Sequence, residues 1–132
     1  MKYRKGYKYQ LAEDEELQTL FRPDEIIYTT RIILYPNGKL LIRDGYAWDG
    51  TSGPVIDRKT NMRGSCGHDA LYQLMRMGLL DYHLWRMADR DFARWIWEDG
   101  AWAITAKIDL IGLKLARGKA ALPKNRKKVY EV

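Results

Sequence analysis

Cysteine is almost absent from this chain: Cys66 stands alone. One cysteine excludes an intramolecular disulfide framework and any thiolate-clustered zinc site, and it suits a reducing compartment. Long apolar runs are missing too. Nowhere do about 18 consecutive apolar residues occur, and the basic start Met1-Lys2-Tyr3-Arg4-Lys5-Gly6 is not followed by the stretch of about 7–15 apolar residues that a signal peptide needs. The expectation is a soluble chain with no signal peptide, no membrane anchor and no transmembrane segment. No internal repeat or low-complexity tract is visible.

What is present points to a folded domain. At 132 residues, with 46% hydrophobic and 12% aromatic residues and five Trp, the chain is too apolar for a disordered one and too short for two ordinary domains. A single domain over 1–132 is expected. The net charge of +6 sits at the ends. Lys2, Arg4, Lys5 and Lys8 open the chain, and Arg117, Lys119, Lys124, Arg126, Lys127 and Lys128 close it. Setting these ten and Glu131 aside leaves 13 basic against 16 acidic residues in the body. Basic ends on a mildly acidic body suit solubility, and equally suit contact with phospholipid, nucleic acid or an acidic protein surface.

The strand signals lie in 25–48, after a basic N-terminal segment over 1–9. Ile26 to Leu34 is rich in β-branched residues, Tyr35-Pro36-Asn37-Gly38 is a turn, and Lys39 to Arg43 answers it, which predicts a hairpin. Asp44-Gly45 makes a second turn and Tyr46-Ala47-Trp48 a third short strand. Tyr3, Lys5, Tyr7 and Tyr9 share one parity and predict one face of an edge strand. Glu13 to Leu20, opening with Glu13-Asp14-Glu15-Glu16, reads as a solvated acidic helical turn or loop.

Beyond Trp48 the residues 49–60 read as a loop, dense in turn formers. The period then becomes helical over 61–122. His68, Leu71, Tyr72 and Met75 make one face of a first helix that Leu79 extends, and Trp85, Ala88, Asp89, Phe92 and Ile96 one face of a second, with Gly100 as its stop. Ile104, Ile108, Ile111 and Leu115 stripe a third helix from Trp102 to about Ala116, and Pro123 bars continuation into the basic tail, 123–132. The fold class expected is α+β: a small antiparallel β-sheet followed by a three-helix unit that contains an antiparallel helix hairpin.

Two ionisable residues fall on faces that should be buried, His68 and Asp89. If the helices form a hairpin turning beside Gly78, both lie roughly 15 Å from the turn and at one height, so an imidazole and a carboxylate face each other. A buried carboxylate needs a partner, and the histidine N–H is the one this geometry offers. Tyr72, one turn beyond His68, can donate to Asp89. Asp69 flanks the face. Upstream, Asp49 to Pro54 offers a carboxylate, hydroxyls and glycine-freed carbonyls, hard oxygen ligands that suit calcium, with Asp49, Gly50, Ser52 and Gly53 the residues of interest. Such a set can deprotonate a water at His68 while Asp89 fixes its tautomer.

Trp48-Asp49-Gly50-Thr51-Ser52-Gly53-Pro54, His68-Asp69-Ala70-Leu71-Tyr72 and Ala88-Asp89 with Phe92 together resemble the phage-associated domain of unknown function 1353, over about residues 40–96. That resemblance implies a bacteriophage or prophage origin, hence the host bacterial cytoplasm or the virion as location. The His-Asp-x-x-Tyr helix and the later aspartate also resemble the catalytic helices of phospholipase A(2), especially its compact parvovirus capsid form. This second resemblance implies His68 as the water-activating base, Asp89 and Tyr72 as its orienting partners, and calcium held by Asp69 with carbonyls of the upstream loop. The Tyr-x-Gly-x-Gly calcium loop of that family has no copy here, and the β-rich first third has no counterpart in it.

Two functions therefore stand at the level of sequence: a small hydrolase centred on His68, or a non-enzymatic virion or assembly protein that binds other phage subunits and uses the His-Asp-Tyr network structurally. A count of two histidines, none of them before His68, argues against the metal-dependent His-Asp phosphohydrolases, which need a further upstream ligand histidine. His83 reads as an exposed loop residue and Cys66 as a small packing residue. Trp85, Trp95, Trp97 and Trp102 fall within 18 positions; Trp97, off the main stripe, is the one placed to contact a partner.

Overall fold

The computed structural model describes residues 1–6, 9–49 and 59–100. They fall into two compact units: a β unit, Met1–Asp49, and a helical unit that follows it.

The β unit holds seven short strands in two antiparallel sheets: β1 (Tyr3–Lys5), β2 (Tyr9–Leu11), β3 (Glu15–Gln18), β4 (Ile27–Tyr28), β5 (Ile32–Leu34), β6 (Lys39–Ile42) and β7 (Ala47–Trp48). One sheet has the order β1-β2-β7 and the other β3-β6-β5-β4. The predicted hairpin is β5–β6, with Ile32 opposite Ile42 and Leu34 opposite Leu40. Pro36 holds the first turn position, the Gly38 N–H donates to Tyr35 O at 2.9 Å, and Gly38 adopts φ +89°. That left-handed residue is what the turn before a three-residue hairpin's return strand requires. Alternation places Ile32, Leu34, Leu40 and Ile42 on one face, where they are buried with Leu17 of β3 and Phe21.

Three details differ from the sequence reading. First, Ile26 to Leu34 is not one strand: it breaks at Thr29 into β4 and β5, which pair with each other. The Thr29 hydroxyl accepts from the backbone N–H groups of Arg31 and Ile32, a local turn that β-branched composition cannot reveal. Second, Glu15 to Gln18 is strand, not helical turn, because Leu17 fills the buried position opposite Leu40 while Glu16 and Gln18 remain exposed. Third, the residues from Tyr3 to Tyr9 do not form one strand. Tyr3–Lys5 folds back on Tyr9–Leu11, with Lys5 opposite Tyr9; β1 is still the edge, and Tyr3, Lys5 and Tyr9 still share a face. Strand β7 exists as expected but pairs with β2, since Gly45, at φ +94°, turns the chain so that its N–H donates to Leu11 O at 2.9 Å.

The helical unit is a hairpin of α1 (Lys59–Arg76) and α2 (Trp85–Glu98), joined through a 3-10 turn, Tyr82–Leu84. Gly78, at φ +74°, ends α1: the Leu79 N–H donates to Leu74 O and the Gly78 N–H to Met75 O, the paired bonds of a Schellman stop. Leu79 therefore lies past the helix and is exposed, which corrects its expected place on the buried stripe. Asp81 caps the 3-10 turn, and its bonds from the His83 backbone and ring hold its carboxyl below the usual range. His83 is exposed, as expected. Gly100, at φ +97°, follows α2. The core of this unit is Met62, Cys66, Ala70, Leu71, Leu74 and Met75 against Ala88, Phe92, Trp95 and Ile96. The third helix expected from Trp102 to Ala116, and the basic tail, lie outside the described residues. Among the described residues no helix is long and apolar enough to cross a membrane.

Candidate active site

The period of α1 brings His68 and Tyr72 onto the face that meets α2, and the period of α2 brings Asp89 onto the face that meets α1. His68 Nε2 lies 2.7 Å from Asp89 Oδ1, and the Tyr72 hydroxyl donates to the same oxygen at 2.8 Å. All three are buried, with relative exposures of 2%, 3% and 1% for His68, Tyr72 and Asp89. The imidazole is clamped between rings: Tyr72 at 4.1 Å between centroids and Phe92 edge-on at 5.4 Å.

This geometry sets the proton positions. An ionised carboxylate only accepts, so Nε2 carries the hydrogen that meets Asp89 Oδ1. Nδ1 has no hydrogen bond to a described residue. Burial, followed by the nearby Asp89 charge, pushes the Tyr72 phenol well above its ordinary range, so it remains a donor throughout the physiological region. Asp89 Oδ1 thus takes two bonds, while its Oδ2 is buried with no hydrogen-bond partner among the described residues. The carboxylate is loaded on one side, an uneven arrangement that costs desolvation without return at Oδ2.

Helix approach makes the contact possible. A Cβ built on Gly64 would stand 2.9 Å from Ile96 Cγ2 and 3.3 Å from Phe92 Cδ1. Only a residue without a side chain lets α2 come this close one turn before His68.

Asp69 is half-buried, its Oδ1 3.9 Å from Nη2 of the buried Arg76. Asp49 is exposed and belongs to the β unit. Gly50, Ser52 and Gly53 lie outside the described residues. Asp69 directly follows His68 in α1, and an arginine already shares its charge. Among the described residues no group of three or more His, Cys, Asp or Glu side chains is arranged to hold a metal ion.

Two further residues of α2, Phe92 as a ring contact and Asp91, are not singled out by the helical period alone. Asp91 is fully buried beneath Arg94 Nη2 at 2.8 Å. The signal available was the Asp-Arg spacing of three, which places the pair on adjacent turns. No family model, curated protein or solved structure matches the chain.

Proposed function

We propose that this chain is a small hydrolase of phage or prophage origin in which His68 is the general base. The observation that carries the reading is the 2.7 Å bond from His68 Nε2 to Asp89 Oδ1, which leaves Nδ1 as the proton acceptor. In the step proposed, Nδ1 takes a proton from water, the resulting hydroxide adds to the carbonyl carbon of an ester, and the imidazolium is stabilised by Asp89. Collapse of the tetrahedral intermediate breaks the ester C–O bond, and the leaving alkoxide takes the proton back from His68. Tyr72 and Phe92 hold the ring in plane for both transfers. No step passes through calcium; Asp69 would be the residue of the helical unit to ligate it. The phage origin rests on the resemblance of the Trp48, His68 and Ala88 segments described above, and the basic ends supply an attraction for phospholipid, nucleic acid or acidic virion subunits.

The experiment is hydrolysis of p-nitrophenyl butyrate and of mixed phospholipid micelles by the full chain, with His68→Ala and Asp89→Asn. Turnover by the wild type that both substitutions abolish is the expected result; no turnover on either substrate class overturns the reading. A second reading is favoured by the near-complete burial of His68 and Asp89: a virion or assembly protein in which the network fixes the register of two helices. It requires an inactive wild type and a strongly destabilised His68→Ala.

A further inference from the structure

The outer side of α2 is more basic than its composition. The helix contains Arg86, Arg90 and Arg94 against Asp89, Asp91 and Glu98, an even balance. Folding removes two of the acids from the surface, since Asp89 and Asp91 are buried, while Arg86 and Arg90 remain exposed. Asp89 is engaged by His68 and Tyr72, and Asp91 by Arg94. Arg94 also reaches Glu98, at 3.6 Å. Neither Arg86 nor Arg90 has a carboxylate partner among the described residues, and their i,i+4 spacing sets like charges side by side.

An exposed aromatic shares this face. At about 100° per residue, Arg86, Arg90, Ala93 and Trp97 fall within roughly 60° of one another, opposite Ala88, Phe92 and Trp95. Trp97, a large aromatic, is 55% exposed. Arg86 Cζ lies 5.1 Å from the centroid of the neighbouring Trp85 ring, a cation–π contact at the edge of this face. The face runs about 16 Å from Arg86 to Trp97.

We propose that the outer face of α2 binds single-stranded nucleic acid, with Arg86 and Arg90 on phosphates and the Trp97 indole stacked on a base. Exposed guanidiniums supply the attraction for the backbone, and a flat, exposed indole supplies the platform that an unstacked base occupies. A membrane surface fits less well. An interfacial helix immerses several large apolar residues along one face, whereas α2 commits Phe92, Trp95 and Ile96 to the core and its outer stripe carries Trp97 as its one large apolar residue, Trp85 and Met87 lying part-exposed on the flanks. An acidic protein would use the arginines but leave the indole without its stacking partner.

Fluorescence anisotropy of the full chain with 5′-fluorescein-labelled dT20, from 20 to 200 mM KCl, tests this. Affinity should fall linearly on logarithmic axes as salt rises. The double variant Arg86→Glu/Arg90→Glu should weaken binding at least tenfold at 50 mM and reduce the slope by about 1.4, two phosphates at about 0.7 each. Trp97→Ala should weaken it about five- to hundredfold with the slope unchanged, the effect of one lost stack. Arg86→Gln/Arg90→Gln, with far-UV circular dichroism, serves where charge reversal disturbs folding. No binding at 20 mM overturns the proposal, as does undiminished binding by folded double variants. So does equal or tighter binding of polyglutamate or of phosphatidylglycerol vesicles through the same residues.

Discussion

Ile96 of α2 occupies the space that a side chain at position 64 of α1 would need: its Cγ2 is 2.9 Å from where a Cβ on Gly64 would lie. The backbone of α1 at Gly64 therefore meets the Ile96 and Phe92 side chains of α2 one turn before His68, at the level that leads to the contact between His68 and Asp89. Gly64→Ala should push the helices apart and destabilise the chain by about 1–3 kcal/mol, the usual cost of overpacking. Urea unfolding measures it. A variant as stable as the wild type would mean that Ile96 turns aside freely and that Gly64 does not set the spacing.

His68→Ala strands the Asp89 carboxylate in a buried site with Tyr72 as its one remaining donor among the described residues. The expected loss is about 2–4 kcal/mol, read as a lowered melting temperature. Asp89→Asn keeps the shape and should cost less, while removing the charge that stabilises the imidazolium. Under the proposed hydrolysis both variants lose turnover, and the order of stability (Asp89→Asn above His68→Ala) separates the loss of chemistry from the loss of fold.

Much of the helical unit was legible because each helix is long enough for a 3.6-residue period to repeat several times. His68, Tyr72 and Asp89 could be placed on facing stripes, and Gly78 marked the level about which the hairpin folds. The β unit was less legible. Its strands are two to four residues long, so two alternations are the most that any offers, and a run such as Ile26 to Leu34 has the composition of one strand whether or not Thr29 turns it. Leu17 illustrates the same limit: one apolar residue among acids defines no period, and only its partner Leu40, distant in sequence, makes it a strand position. Burial of Asp91 was hidden for a different reason. Its place on the core face follows from the helix, but the arginine that satisfies it lies on the next turn and draws no notice as a surface pair.

Tyr72 gives a pH test. Its folded-state pKa is raised, and an unfolded tyrosine titrates near 10. Above that pH the unfolded chain releases a proton that the folded chain keeps, so stability falls as pH rises, by up to about 1.4 kcal/mol per pH unit for this one group. Tyr72→Phe removes the titrating proton. Urea midpoints from pH 9 to 11 should fall less steeply in Tyr72→Phe than in the wild type, and parallel lines would mean that Tyr72 does not stay protonated.

Calcium is tested separately from catalysis. If Asp69 ligates the ion, binding must draw its carboxylate from Arg76, so affinity should rise in Arg76→Met and vanish in Asp69→Asn. Calorimetric titration of both variants and the wild type decides it. No heat in any of the three, at millimolar calcium, removes the ion from the proposed function.

The basic tail makes its own prediction about anionic partners. Residues 124–132 contain Lys124, Arg126, Lys127 and Lys128, and each that meets a single-stranded phosphate contributes about 0.7 to the salt slope of binding. Deleting 124–132 should thus lower the slope for dT20 by up to about 2.8, while Arg86→Gln/Arg90→Gln lowers it by about 1.4 whether or not the tail is present. Additive losses would place the tail and the α2 face on separate phosphates. If the deletion leaves the slope unchanged, the tail takes no part in phosphate contact, and its charge serves solubility or a protein surface instead.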